Sequence, residues 1–277
     1  MISDFLAGIT RLGTHRRPCP ECGKGPKDQA LSVTLKDDGC FTWFCHRCGF
    51  KGAYGARQER PQVQPAKEPV VFTELSTQGR KLWESCRPLA GTVAEQYLTA
   101  RGCPLPPEDG DLRFYPALEH PITKYRGPAL VALVTDIVTR KPLTLHRTWI
   151  KADGKKAPEA TPSRLLLGRH RKAGGAIRLW PDDAVTMGLT IAEGIETALA
   201  AAWASPPVWS LIDAGNLGQF PVLPGIEGLT IVADHDAAGL KAAKACSERW
   251  RAAGVDVQVI VPPRPGTDLA DIAAGAA

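Results

Sequence analysis

Two stretches forty residues apart constrain the fold most: LTIAEGIETALAA (189–201) and LTIVADHDAAG (229–239). Each is a short run of β-type residues that ends in an acid, followed by glycine and a helix-forming segment. That pattern predicts a strand running into a helix, twice. Glu193 closes the first strand, and Asp234 and Asp236 close the second. Open α/β sheets bind ligands at the carboxyl ends of their parallel strands, where these acids fall. Residues two apart in extended chain point the same way, so Asp234 and Asp236 are expected side by side. Two adjacent carboxylates need a shared proton or cation. Mg²⁺ or Mn²⁺ suits all-oxygen ligands and brings phosphates with it. Taken singly, each acid reads as a helix cap; taken as a set, they read as a metal-dependent phosphoryl-transfer site.

The surrounding hundred residues alternate in the same way. Strands are expected over 189–193, 208–212, 229–233 and 255–261, with helices over 194–204, 237–253 and 267–274. The expectation is an α/β fold: a parallel-type sheet with flanking helices.

Eight cysteines impose a second constraint. Cys19-Pro20-Glu21-Cys22 and Cys45-His46-Arg47-Cys48 flank a segment that alternates around the turn signal Asp38-Gly39. Two such pairs on a hairpin form a zinc ribbon, and four thiolates close the coordination sphere, making the Zn²⁺ structural. Cys40 and His46 are bystanders. Cys86, Cys103 and Cys246 have no partner spacing. The ribbon also mixes Phe41, Trp43, Phe44 and Phe50 with Arg16, Arg17, Lys24, Arg47 and Lys51, which suits single-stranded DNA or supplies a small core. Residues 1–13 have spacing fit for a short helix. The expected domains are 1–53, the small β ribbon; 54–78, a Pro- and Gln-rich linker; 79–183, a basic mixed α+β part; and 184–277, the α/β part.

Charge is unevenly spread. Residues 140–178 carry eleven Lys/Arg against two Asp/Glu, whereas the whole chain is only +5. A basic segment beside an acidic one suits a polyanionic substrate held next to a metal. Arg147, Lys151, Lys155, Lys156, Arg169 and Arg178 are candidate phosphate contacts, and Gly174-Gly175 offers close backbone approach. No apolar run reaches the ~18 residues of a membrane span, and no leader pattern is present, so a cytoplasmic protein is expected.

A strand ending in E-G and a second ending in D-x-D-x-x-G resemble the Toprim domain of primases, topoisomerases and some nucleases. The strings AEGIETALAA, VWSLIDAGNL, ADHDAAG and GTDLADI resemble more narrowly the Toprim of plasmid, phage and satellite-phage primases. YLTARGC, LRFYPAL, GPALVALVTD, HRTWIKADGKKAP and SRLLLGRHRKAGGAIRLWP extend the resemblance through the middle of the chain. It implies a DNA primase that makes short RNA primers by metal-dependent nucleotidyl transfer. Glu193 would be the acid/base or metal-assisting group. Asp234 and Asp236 would hold Mg²⁺ or Mn²⁺, with Asp268 as a further ligand. Arg147 and Lys156 would contact template or nucleoside triphosphate. In GTDLADI, the family's usual Asn is Ala270, which puts a full third metal element in doubt. Glu196, one turn after Glu193, either favours the helix N-terminus or approaches the metal. His235 should point away from the aspartates. The sequence has no G-x-x-x-x-G-K-[ST], so a helicase is expected in trans. Alternatives are a Toprim nuclease or a catalytically inactive DNA-binding replication module; a topoisomerase would need more chain.

Overall fold

The computed structural model describes residues 5–55 and 72–275. The chain divides into compact units Met1–Pro69 and Val70–Ala277. Most of the expected linker lies outside the described residues.

The first unit is a four-stranded antiparallel sheet in the order β1 (Gly13–Arg17), β2 (Leu31–Leu35), β3 (Phe41–Cys45), β4 (Lys51–Tyr54). The expected hairpin is β2–β3, with Val33 opposite Trp43. Its inner face buries Leu31, Val33, Leu35 and Trp43. Phe5 and Phe50 pack on Trp43 with ring centroids 5.2 and 6.2 Å away. The short helix expected over 1–13 is absent among the described residues. Gly8 and Gly13 adopt φ of 73° and 108°, which break an α-helix, so Leu6 and Ile9 reach the ribbon core from turns.

The second unit begins with two helices, α1 (Thr77–Glu84) and α2 (Val93–Ala100). Ser76 and Thr92 cap them by accepting from the N–H of Gly79 and Ala94. Next come β5 (Leu112–Glu119), β6 (Arg126–Asp136), β7 (Pro142–Trp149), β8 (Arg164–Leu166) and β9 (Gly175–Arg178). The C-terminal part supplies β10 (Gly188–Ala192), α3 (Ile195–Ala201), β11 (Val208–Ser210), α4 (Ala214–Gln219), β12 (Gly228–Val232), α5 (Ala237–Ala252), β13 (Asp256–Ile260) and α6 (Leu269–Gly275). The strands form one nine-stranded sheet in the order β13-β12-β10-β11-β9-β6-β7-β8, with β5 beside β6. The expected parallel part is β11-β10-β12-β13; β11 then pairs antiparallel with β9 and joins the basic part to the same sheet.

Strand alternation splits the core. Ala192 and Val232 pack with α2, α3 and α6 on one face. Leu189, Ile191, Leu229 and Ile231 pack with α4 and α5 on the other. Every residue of α3 is buried, which its alanine-rich sequence permits between the sheet and α6. Sequence periodicity did not find α4: AGNLGQ is six residues with two glycines, too short for a helical period. No helix among the described residues is long and apolar enough to cross a membrane.

Candidate functional site

The four ribbon thiols converge as expected. Cys19, Cys22, Cys45 and Cys48 place their sulfurs within 4.8 Å of one another, with Cys19–Cys48 and Cys22–Cys45 both at 3.7 Å. A tetrahedral ion with Zn–S bonds of about 2.3 Å sets its sulfurs about 3.8 Å apart, so this set fits structural zinc. Gly23 and Gly49, each after the second cysteine of its pair, sit at φ of 58° and 75°. The bystanders stay outside: His46 bonds the Ser32 hydroxyl at 2.7 Å, and Cys40 is not in the cluster. The aromatics divide between the two expectations. Trp43 is core, while Phe44 is 45% exposed on the other face, in the cross-strand row Arg16–Ser32–Phe44–Lys51.

In the second unit the parallel strands end level with one another: Ala192 lies opposite Ser210 and Val232. The chain therefore delivers an acid from each of three neighbouring strand ends: Glu193 after β10, Asp213 after β11 and Asp234 after β12. The Ser210 hydroxyl donates to the Glu193 carbonyl at 2.8 Å and steadies that residue's backbone. Ile212 adopts φ of 75°, an uncommon conformation for a β-branched residue that marks a constrained turn leading into Asp213. Asp213 caps α4 through the Asn216 N–H and pairs with Lys172 at 2.7 Å.

Glu193 Oε1 and Asp234 Oδ1 are buried without a hydrogen-bond partner. A Cβ on Gly239 would stand 3.1 Å from Glu193 Oε1 and 2.5 Å from the Asp234 carbonyl, so only glycine lets α5 start so close to both acids. Burial, followed by the charges of Asp234, Asp236 and Asp213, pushes Glu193 up to about 7. Burial, then Asp268 and Asp236, pushes Asp234 up to about 6, with Arg164 opposing. Crowded carboxylates with orphaned buried oxygens fit a hard divalent cation held by oxygen ligands. Among the described residues, the only group of three or more ligand atoms within 4.8 Å of one another is the cysteine set, so the acids are neighbours that do not close into a ring.

Asp234 and Asp236 do not stand side by side on a strand, as the sequence suggested. Strand β12 ends at Val232, and the Asp236 N–H turns back to the Asp234 carbonyl at 2.8 Å. Asp236 then caps α5, accepting from Gly239 at 2.8 Å through Oδ1 and leaving Oδ2 outside that bond. Asp268 accepts from the Asp271 N–H at 2.8 Å while Asp271 accepts from the Asp268 N–H at 3.3 Å, a reciprocal helix cap. Ala270, at the position of the family's Asn, is fully buried in the core shared with α3 and cannot be a ligand. His235 points away from the aspartates, its Nδ1 bonding the Pro262 carbonyl at 2.7 Å.

The basic residues separate by strand face. Arg147 lies with Leu145 and Trp149 on the face of β7 opposite Glu196. It is buried, donates to the Leu166 carbonyl at 3.0 Å and stacks 5.6 Å over the Trp149 ring. Lys156 lies on the other face, 3.5 Å from Glu196. Lys151 and Lys155 pair locally with Glu159 and Asp153. Arg178 is buried among Thr135, Asp182 and the Ile137 carbonyl, and Arg169 is exposed. Gly174 and Gly175 commit their N–H groups to Asn216 and Lys172, so that backbone is not free for a phosphate. Sequence reasoning missed Asp213, Arg101 and Arg164. Arg164 pairs with Glu196 at 3.4 Å and also faces Asp234; Arg101 pairs with Asp271 at 3.3 Å and faces Asp268 and Glu196. Their only sequence signal was the YLTARGC and SRLLLG strings.

Residues 188–276 match the family model described as Toprim domain. That segment is a Toprim domain. Ahead of the Toprim domain, residues 73–179 match a domain of unknown function (DUF7146). A DNA primase domain from Pseudomonas aeruginosa is 15% identical over 73% of this chain and 74% of its own, with a TM-score of 0.45. The Aquifex aeolicus primase, comprising zinc-binding and RNA polymerase domains, is 14% identical over 94% of this chain and 75% of its own, also with a TM-score of 0.45. No curated protein matches.

Proposed function

We propose that this chain is a DNA primase that joins nucleotides into short RNA primers on single-stranded DNA. The observation that carries the reading is the pair of buried, unpartnered oxygens on Glu193 and Asp234 at adjacent strand ends of a Toprim domain, with the charge of Arg164 acting on Asp234. Asp234, the free oxygen of Asp236 and Asp268 are the residues that would hold Mg²⁺ or Mn²⁺. The ion would supply a lowered pKa for the attacking 3′-hydroxyl and charge neutralisation on the pyrophosphate leaving group.

Glu193, whose carboxyl burial and the neighbouring aspartates push up in the metal-free site, is the group placed to take the proton from that 3′-hydroxyl. Arg164 and Lys156, both held on Glu196 and both partly exposed, present donors for the triphosphate. On the ribbon, Phe44 offers a ring for base stacking, with Arg16 and Lys51 for phosphates. Zinc holds that ribbon together without touching the chemistry, and a separate helicase would open the duplex.

The test is incubation with single-stranded DNA, labelled nucleoside triphosphates and Mg²⁺ or Mn²⁺, alongside Asp234→Ala/Asp236→Ala. Short new chains from the wild type alone support the reading. A shortened template points to a nuclease, and DNA binding without either product points to an inactive replication module.

A further inference from the structure

Glu196 lies in the first turn of α3 and is 4% exposed, yet nothing in the reaction proposed above uses it. Its Oε1 alone accepts from the Tyr97 hydroxyl at 2.7 Å and stands 3.5 Å from Lys156 Nζ and 3.4 Å from Arg164. The charge of Glu196 also reaches Arg101, at the end of α2, and His146 on β7. Two further buried nitrogens in this cluster, Arg101 Nε and His146 Nδ1, have no partner. Glu196 is thus the one buried carboxylate that anchors both Lys156 and Arg164, while Arg101 pairs with Asp271 at the surface.

The side-chain exposures show which of these groups remain open to a ligand. Lys156 and Arg164 keep 29% and 44% of their side chains exposed although both are held on the buried Glu196 Oε1, and the charge of Arg164 also acts on Asp234. We infer that Glu196 is a positioning residue: it fixes Lys156 and Arg164 as a preformed clamp for the triphosphate of the incoming nucleotide, without touching the nucleotide itself. The inference rests on the polymerase reading of the same site. Two long cationic side chains otherwise lose rotamer entropy on binding, and a shared anchor removes that cost beforehand. A competing effect has the opposite sign. Glu196 is itself negative, and a mere counter-ion would weaken phosphate binding.

The experiment measures ATP binding by isothermal titration with Mg²⁺ on the full chain, together with KM and kcat for primer synthesis. For Glu196→Gln the expected result is about tenfold weaker ATP binding and a matching rise in KM, with kcat within about twofold. Glu196→Asp, which keeps the charge one methylene back, should fall between. Tyr97→Phe, which leaves every charge in place, should weaken ATP about two- to threefold and serves as the readout if Glu196→Gln fails to fold. Unchanged or tighter ATP binding in folded Glu196→Gln or Tyr97→Phe overturns the inference, as does wild-type protein that does not bind ATP. ATP binding that responds as expected, with no primer made by the wild type, overturns only the polymerase reading.

Discussion

Replacing Asp234 by Asn should stabilise the metal-free protein at pH 8. The folded site pushes this carboxyl up to about 6, from an ordinary value near 3.8, through burial and through repulsion from Asp268 and Asp236. A displacement of that size corresponds to about 3 kcal/mol in full. The group is only part-buried, so solvent screening reduces this to about 1–1.5 kcal/mol. A raised folded pKa means the protonated form is the favoured one. Its contribution is complete below about pH 4 and is lost as pH rises through about 6. Asn mimics the protonated form, so at pH 8 it removes a cost that the ionised wild type bears. For a unit of this size, Tm should rise by about 2–5 °C at pH 8 without divalent cation and show no gain at pH 4. Mg²⁺ should raise the wild-type Tm at pH 8 and leave Asp234→Asn unmoved. Thermal unfolding followed by calorimetry at both pH values, with and without Mg²⁺, measures all of this. A lower Tm for the variant at pH 8, or equal stabilisation of both proteins by Mg²⁺, would refute the assignment of Asp234 to a crowded cation site.

Asp236 also caps α5, so Asp236→Ala should lose about 1 kcal/mol of stability that Asp236→Asn keeps, while both lose Mg²⁺-dependent stabilisation; denaturant titration separates them. In the ribbon, Phe44→Ala should weaken single-stranded DNA binding by about 1–3 kcal/mol with the ribbon intact, as read by fluorescence anisotropy. Trp43→Ala should instead cost about 3–5 kcal/mol of ribbon stability, because Trp43 is 9% exposed and packs on Phe5 and Phe50. Cys45→Ser should release zinc and unfold the ribbon while the Val70–Ala277 unit keeps its thermal transition; elemental analysis and circular dichroism check this.

The parts of this fold that were legible in the sequence are those with a strong period or an obligatory chemistry. Strands β10, β12 and β13 and helix α5 follow from runs such as LTIAEG and LTIVAD, and the zinc set follows from cysteine spacing alone. What escaped depended on tertiary placement. Asp213 lies in the string VWSLIDAGNL but was given no role there, and the level register of β10, β11 and β12 brings it beside Glu193. Arg147 and Lys156 look equivalent in sequence, yet strand alternation in β7 and the Ile150–Lys156 bridge put them on opposite faces of one sheet. In sequence, Glu196 reads as favouring a helix N-terminus or approaching the metal. It is buried because α2 and β8 bring Tyr97 and Arg164 onto it from 99 and 32 residues away. The pairing of Asp234 with Asp236 was inferred from strand geometry that ends two residues too early.

The central claim is that the strand-end acids of this Toprim domain catalyse nucleotidyl transfer. Its most direct test is pyrophosphate release coupled to dinucleotide formation on single-stranded DNA with Mn²⁺, for wild type and Asp234→Ala/Asp236→Ala. Stoichiometric dinucleotide and pyrophosphate are expected from the wild type, and neither from the variant, with zinc content and DNA binding equal in the two. Equal rates from both proteins would contradict the claim, as would a wild type that binds DNA and nucleotide but releases no pyrophosphate.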